Sequence, residues 1–284
     1  MSIIIVTDST ADIPPELVKK LGITVVPVYV RFGEEVFRDG IDISQDEVYR
    51  RMLVEGAIPA TSQPSPSDFA EVYHELLKND DEIVSIHLSG KLSGTYNSAM
   101  NGRDLIAEKN RIVVIDSMSI SMGLGLSVMA AARLAQAGAG TQAVIQSVNE
   151  APAATRIVAA FDTLKYILRS GRLGAAKSLI GGILNVKPML TLRDGAFWPA
   201  GIARTRSRAL DSLVEMVRKT PDVEEIAIVY NTVPEEAQGL RERLSEFVDA
   251  SRLHVSRLGP ALGAHGGPGA IIVAFRQNLS PIRH

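Results

Sequence analysis

Residues 83–116 read IVSIHLSGKLSGTYNSAMNGRDLIAEKNRIVVID, and the order of patterns within them indicates the class of fold. The apolar run at residues 83–88 has the length and composition of a buried strand. A turn rich in serine and glycine follows, and then a helical pattern at about residues 95–109. Residues 111–116 close the segment as a second strand, with one basic residue, four apolar residues and an aspartate. This order predicts two parallel strands joined by a crossover helix.

The same alternation continues on both sides of that segment. Residues 3–7 form an apolar run, and a helix opening at Pro14-Pro15 and ending at Gly22 follows it. The β-rich run at residues 23–32 reaches Gly33, where we expect a turn into a hairpin. Further helices are predicted at residues 45–55, 66–78, 120–137 and 141–151. The first half therefore predicts an α/β fold with a mainly parallel sheet covered by helices.

The second half has shorter units and a different order. A tight turn at Arg193-Asp194-Gly195 joins two strand patterns, which is typical of a hairpin. Strands are predicted at residues 156–160, 186–192, 225–230, 252–257 and 270–276, and helical segments at residues 164–169, 175–181, 206–219 and 234–248. Hairpins mixed with crossovers indicate a mixed sheet. We therefore expect two α/β domains, residues 1–152 and 153–284, because Pro152 and small residues interrupt the pattern between them.

Composition excludes several functional classes. The chain has 284 residues and no cysteine, so disulfides, thiolate zinc sites and cysteine nucleophiles are excluded. A net charge of −2 and only 5% aromatic residues argue against nucleic acid as a partner. The first residues lack the basic region of a signal peptide, and the chain has no apolar stretch of membrane-spanning length. We expect a cytoplasmic monomer without a transmembrane segment.

The sharpest candidate for a binding loop is Ser93-Gly94-Thr95, which follows a strand and opens a helix. Gly94 lets the backbone come close to a ligand, and the free N–H groups of a helix start favour a carboxylate or a phosphate. Helix capping alone would also explain a serine at this place. The spacing does not match a P-loop, and Gly123-x-Gly125 lacks the third glycine of a dinucleotide fingerprint.

Two more polar loops are candidates for the same site. In residues 60–67, Ser65 and Pro66 are explained as the cap and first residue of a helix, which leaves Thr61 and Ser62 without a structural role. His265 lies among glycines at residues 263–270, an unusual setting for a histidine with a purely structural role. No second histidine or carboxylate at ligand spacing accompanies it, which argues against a metal site.

These loops, together with other motifs, resemble the DegV family of fatty-acid-binding proteins, which includes the binding subunits of bacterial fatty acid kinase. The resemblance covers essentially the whole chain, and the combination of motifs is far more specific than any one of them. The motifs are VTDSTAD at residues 6–12, TSQPS at 61–65, LSGKLSGTY at 88–96, DS at 116–117, DTLKY at 162–166, SGRLG at 170–174, LNVKP at 184–188, RTR at 204–206 and HGGPG at 265–269.

The resemblance implies two α/β domains with a long-chain fatty acid bound at their junction. The hydroxyls that match Thr61 and Ser93 and the imidazole that matches His265 contact the carboxylate, while the acyl chain lies in an apolar pocket. Ser62, Gly94 and Gly266 belong to the same loops. Gly266 departs from the family, in which many members carry a larger residue there. No cofactor is implied.

The resemblance also implies a partner. Family members do not hydrolyse a substrate, and in bacteria that have it, a separate ATP-dependent kinase related to dihydroxyacetone kinases phosphorylates the bound acid to an acyl phosphate, which serves phospholipid metabolism. Arginines that match Arg172, Arg204 and Arg206 are implicated in docking this kinase. Without the resemblance, these arginines would be interpreted as a solvated basic face.

Two rival functions use the same residues. A serine hydrolase could be built from Ser93 and His265, but Ser93 lies in Lys-Leu-Ser-Gly-Thr and not in a Gly-x-Ser-x-Gly elbow. A small-molecule kinase subunit could bind phosphate at the Ser93 loop, but the chain lacks a nucleotide motif.

Overall fold

A computed structural model describes residues 2–77, 81–179 and 186–278 of the chain. The strands are β1 (Ile3–Asp8), β2 (Thr24–Val26), β3 (Tyr29–Phe32), β4 (Glu35–Arg38), β5 (Ala60–Ser62), β6 (Glu82–His87), β7 (Ile112–Asp116), β8 (Thr155–Ala160), β9 (Lys187–Arg193), β10 (Ala196–Ala203), β11 (Val223–Tyr230), β12 (Leu253–Arg257) and β13 (Ile271–Gln277). The helices are α1 (Pro15–Leu21), α2 (Gln45–Leu53), α3 (Pro66–Leu76), α4 (Thr95–Asp104), α5 (Ser121–Gln136), α6 (Thr141–Ala154), α7 (Lys165–Arg169), α8 (Arg206–Arg218), α9 (Pro234–Leu244) and α10 (Pro260–Gly266).

The first half contains a four-stranded sheet in the order β2-β1-β6-β7, and every neighbouring pair in it is parallel. This confirms the mainly parallel sheet expected from the sequence. Because parallel strands end at the same edge, Asp8, His87 and Asp116 lie together, and the loops that follow them form one face of the molecule.

A small antiparallel sheet, β4-β3-β5, carries the loop with Thr61. The expected hairpin at Gly33 is confirmed, with a positive φ of 58° at this residue. The β-rich run expected at residues 23–32 consists of two strands, since β2 ends at Val26 and β3 begins at Tyr29. Pro27 lies at the break, and a proline has no N–H to donate to a strand ladder.

The second half contains a six-stranded sheet in the order β10-β9-β8-β13-β11-β12. Only β11 and β12 are parallel in it, and the other neighbours are antiparallel. The mixed sheet expected from the sequence is therefore confirmed. The turn between β9 and β10 has φ values of 47° at Asp194 and 72° at Gly195, as a two-residue hairpin turn requires.

Helix α5 lies between the two large sheets. It packs against β1 and β6 of the parallel sheet and against β8, β11 and β13 of the mixed sheet. Its residues from Ser121 to Ala132 are all buried. One apolar core therefore runs continuously through both halves of the chain.

A partly buried ion-pair network also joins the halves. Arg133 of α5 donates two hydrogen bonds to Glu225 of β11, at 3.0 and 2.7 Å, and His254 Nε2 lies 2.7 Å from Glu225 Oε1. Burial raises the pKa of the Glu225 carboxyl, but the hydrogen bonds from His254 and Arg133 outweigh it and bring the pKa to about 2.

Other element limits differ from the sequence-based expectations. Helix α4 ends at Asp104 and not near residue 109, and α6 continues through Pro152 to Ala154. The predicted helix at residues 175–181 is a 3₁₀ segment, Gly174–Leu179, as far as the described residues reach. Residues 184 and 185 of the LNVKP motif lie outside the described residues. The division at residues 152/153 stays a prediction. In the described part of the chain, no helix combines the length and apolar character that crossing a membrane requires.

Candidate functional site

An apolar cavity with a polar end lies between the two halves of the chain. Its apolar lining comes from both halves: Val28, Leu88, Leu92, Ile120, Ile157, Ala159, Phe161, Ile167, Phe197, Leu258, Ala261, Leu262 and Ile272. Its polar lining consists of Thr10, Thr61, Ser62, Gln63, Ser93, Ser121, Arg172 and His265. A largely apolar cavity with a few convergent polar groups is the usual form of a small-molecule site.

Thr61 and His265 meet at this cavity, although 204 positions separate them in the chain. Thr61 extends from β5, and its Oγ1 lies 2.7 Å from Nε2 of His265. The sequence-based expectation that His265 lies in a glycine loop is wrong, because it lies in the last turn of helix α10. The helix includes Gly263, where an added Cβ would lie 2.3 Å from Tyr49 Oη, so this glycine serves close packing and not a turn. The positive φ expected of the loop occurs further on, at Gly267 and Gly269.

The charge state of His265 follows from its surroundings. Burial lowers the pKa of its imidazole to about 4, and the positive charge of Arg172 acts in the same direction. The ring is therefore neutral near pH 7 and carries one N–H. If Nε2 carries that hydrogen, it donates to Thr61 Oγ1, and the Thr61 O–H is free to donate into the cavity.

Ser93 reaches the cavity from the loop before α4. Its Oγ accepts a hydrogen bond from the Thr95 N–H at 3.3 Å and lies 3.0 Å from Thr95 Oγ1. The cap residue of α4 is Gly94, with no side-chain cap. An added Cβ at Gly94 would lie 2.7 Å from Gln63 Nε2, so the glycine allows the Gln63 amide to approach. Gln63 lines the cavity and offers two N–H donors, a role that sequence reasoning did not assign although the residue lies within the TSQPS motif.

Five of the six residues expected at the ligand line the cavity, namely Thr61, Ser62, Ser93, His265 and Gly266. Gly94 is not part of the lining, but its lack of a side chain leaves room for Gln63, which is. At Gly266, an added Cβ would lie 3.3 Å from the Cβ of Ala270 and 3.4 Å from Cδ2 of Leu258, so a larger residue would require these neighbours to move.

The three arginines expected in partner docking have different surroundings. Arg172 lines the cavity and donates to the Ser170 carbonyl at 2.6 Å. Arg206 is engaged by Glu236, with Nε at 2.9 Å from Oε2, and its side chain is only 18% exposed. Arg204 is exposed. The three therefore do not form a uniform charged patch.

The hydrogen bonds in the cavity do not form a catalytic triad. Ser93 is joined to Thr95 and His265 to Thr61, and among the described residues no hydrogen bond links Ser93 to His265 or His265 to a carboxylate. A Ser-His-carboxylate triad contains both links. Within the same residues, no group of three potential histidine, aspartate or glutamate ligands could hold a metal ion.

The chain is similar to known proteins over nearly its whole length. The profile of the family described as "Uncharacterised protein, DegV family COG1307" matches residues 2–278. A DegV domain-containing protein of Caldanaerobacter subterraneus is 38% identical over 278 residues, which cover 97% of this chain and 99% of the relative.

Two solved structures have the same fold over nearly their full length. One, described as fatty acid binding of a DegV family protein from Thermus thermophilus, has a TM-score of 0.91 and 33% identity and covers 98% of this chain and 100% of that chain. The other, a stearic acid-binding protein from Eubacterium ventriosum, has a TM-score of 0.86 and 27% identity, with 96% and 97% of the two chains covered.

Proposed function

The chain belongs to the DegV family, and from this premise we propose that it binds a long-chain fatty acid, with the carboxylate at Thr61, Ser93 and His265 and the acyl chain in the apolar cavity. The observation that carries the proposal is the 2.7 Å contact between Thr61 and His265 in a cavity with a mostly apolar lining. Thr61 and Ser93 come from the proposed domain of residues 1–152, and His265 comes from the proposed domain of residues 153–284.

The energetics favour this ligand class. Each buried methylene contributes about 0.8 kcal/mol, so a chain of about 15 methylenes supplies on the order of 12 kcal/mol before the cost of association is subtracted. Burying an unpaired carboxylate would cost several kcal/mol. The hydroxyls of Thr61 and Ser93 and the amide of Gln63 offset that cost as donors, and Arg172 supplies a positive charge nearby. The tail therefore provides affinity, and the polar end determines the orientation of the ligand.

The protein is not itself an enzyme in this proposal. It presents the carboxylate to a separate ATP-dependent fatty acid kinase, which forms the acyl phosphate. Exposed Arg204 and cavity-lining Arg172 contribute to docking, because a kinase that binds MgATP offers acidic groups that positive charges attract. Arg206 contributes less, since it is already paired with Glu236.

The function is tested by native mass spectrometry of the purified protein. We expect a bound mass equal to that of a long-chain fatty acid, released on denaturation. Steady hydrolysis of p-nitrophenyl esters that disappears in Ser93→Ala would instead establish the hydrolase. A protein that carries no acid and takes up none when incubated with palmitate would contradict the proposal.

Charge reversal at Arg204 tests the partner. Arg204→Glu is expected to lower kinase-coupled formation of acyl phosphate about tenfold, as the loss of one charged contact of about 1.4 kcal/mol implies. Its affinity for fatty acid should stay unchanged, because Arg204 does not line the cavity. Arg218→Glu is the matched control, since Arg218 lies at the other end of α8 and pairs with Glu215. Equal turnover in the wild type and Arg204→Glu would remove Arg204 from the docking surface.

A further inference from the structure

The start of helix α10 is held by two carboxylates from the first half of the chain. The Gly259 N–H donates to Asp12 Oδ1 at 2.9 Å, and the Ala261 N–H donates to Asp39 Oδ1 at 3.1 Å. Pro260, between them, has no N–H. The first N–H groups of a helix have no partners within the helix. Here Asp12 and Asp39 supply those partners from 247 and 222 positions away in the sequence.

Both carboxylates are buried, and their second oxygens are also occupied. The Ser121 hydroxyl donates to Asp12 Oδ2 at 2.6 Å, and the Ser9 hydroxyl donates to Asp39 Oδ2 at 2.7 Å. Among the described residues, no ion pair joins Asp12 or Asp39 to a cation. Burial raises the pKa of Asp12 to about 8 and that of Asp39 to about 6.

The charged groups around Asp12 and Asp39 do not compensate for the burial of their carboxyl groups. Asp8 lies close enough to raise both pKa values further, and its own carboxylate is bound by His87 at 3.0 Å. Lys19, Asp42 and Arg257 line the neighbouring groove. Two buried carboxylates without a cation are costly to the fold. What these two side chains do in the structure is hold the start of α10, through the Gly259 and Ala261 N–H groups.

Helix α10 connects this start to the binding site. Its seven residues run from Pro260 to Gly266, and His265 lies in the last turn. The far end is closely packed, because an added Cβ at Gly267 would lie 2.1 Å from Tyr166. Because α10 has only seven residues, releasing its start would let it tilt about this packed end, which would change the position of His265 relative to Thr61 of β5.

We propose that Asp12 and Asp39 are positioning residues that hold the start of α10 and thereby set the contact between His265 and Thr61 at the carboxylate site. This inference rests on the proposed function for its ligand, but its geometric consequence can be measured without ligand. We call the two residues the carboxylate clamp. When the clamp is lost, His265 moves away from Thr61 and becomes hydrated.

The test compares three variants at temperatures well below unfolding. Asp39→Ala removes the acceptor of the Ala261 N–H, whereas Asp39→Asn keeps one oxygen that can accept it. Glu225→Gln is the matched control, because Glu225 is another buried carboxylate that joins the two halves, and it does not contact α10. Palmitate affinity is measured by calorimetry, and the pKa of His265 is measured by NMR on ligand-free protein.

We expect Asp39→Ala to weaken palmitate binding about tenfold, because the displaced His265 no longer holds Thr61 in place to donate to the ligand carboxylate. The pKa of His265 should rise from about 4 toward its ordinary value of 6.5, because hydration removes the penalty on the charged ring. Asp39→Asn should restore both values to near those of the wild type, and Glu225→Gln should change neither. A role limited to stability would lower the melting temperature of Asp39→Ala without moving the pKa of His265.

Gly259→Ala is the variant to measure if Asp39→Ala does not fold. Gly259 has a φ of −60°, which any residue adopts, and an added Cβ would lie 3.0 Å from Asp12 Oδ1. Gly259→Ala should therefore displace the clamp and shift affinity and pKa in the same direction. Wild-type affinity and an unchanged pKa in whichever of these variants folds would overturn the clamp. A wild-type protein that binds no fatty acid would instead refute the proposed function, while the pKa would still test the clamp.

Discussion

Replacing both Thr61 and Ser93 with alanine is expected to lower palmitate affinity by about a hundredfold, because a buried carboxylate that loses a hydrogen-bond donor loses about 1–3 kcal/mol. Two donors are removed here, and the Thr61 partner His265 is left without its contact at 2.7 Å. Kinase-coupled phosphorylation should fall as well, since the carboxylate is no longer held in one orientation. Calorimetric titration with palmitate measures the effect.

The control for this variant is Ser65→Ala. Ser65 lies in the same segment as Thr61, but its hydroxyl caps helix α3 by accepting from the Asp68 N–H at 3.2 Å. Its loss should reduce stability by about 1 kcal/mol, as for other helix caps, and leave affinity unchanged. Wild-type affinity in the double variant would mean that the carboxylate binds elsewhere.

The second large effect is expected from Ala159→Phe. Ala159 lies in β8 between Ile157 and Phe161, and all three line the cavity. A phenyl ring at Ala159 would project into the space proposed for the acyl chain. Excluding six methylenes would remove on the order of 5 kcal/mol of burial, so stearate affinity should fall at least about a hundredfold.

Comparing acids of different length distinguishes a blocked cavity from a general loss of structure in Ala159→Phe. Phe161 lies beside Gly266, since an added Cβ there would lie 3.9 Å from Phe161 Cε1, so Phe161 marks the polar end of the cavity. Octanoate is shorter than stearate, so with its carboxylate at the proposed site it should lose much less affinity in Ala159→Phe than stearate does. Equal losses for the two acids would argue against an acyl chain that runs along β8.

The sequence could predict most of the fold because its signals are local. The strand, loop and helix in residues 83–116 are each encoded by neighbouring residues, and the parallel order of β6 and β7 follows from the crossover between them. Thr61 and His265 could be identified as candidates because no structural role was assigned to them, and Ser93 because it follows a strand and opens a helix.

What the sequence did not predict depends on distant partners. His265 was expected in a loop because its glycines suggested a turn, whereas Gly263 is small to accommodate Tyr49 of α2. Asp12 and Asp39 accept hydrogen bonds from the N–H groups at the start of α10, and each pair is more than 200 positions apart in the sequence. No pattern within a single stretch of sequence contains such pairs.

Helix α5 also constrains how a ligand can reach the cavity. Helix α5 packs against strands of both large sheets, so a hinge movement that separates the two halves would expose its apolar side chains to water. A movement limited to the loop at residues 61–63, which lines the cavity, leaves the packing of α5 against both sheets intact. We therefore expect loading and release of the lipid to proceed through a local gap, while the molecular framework remains closed.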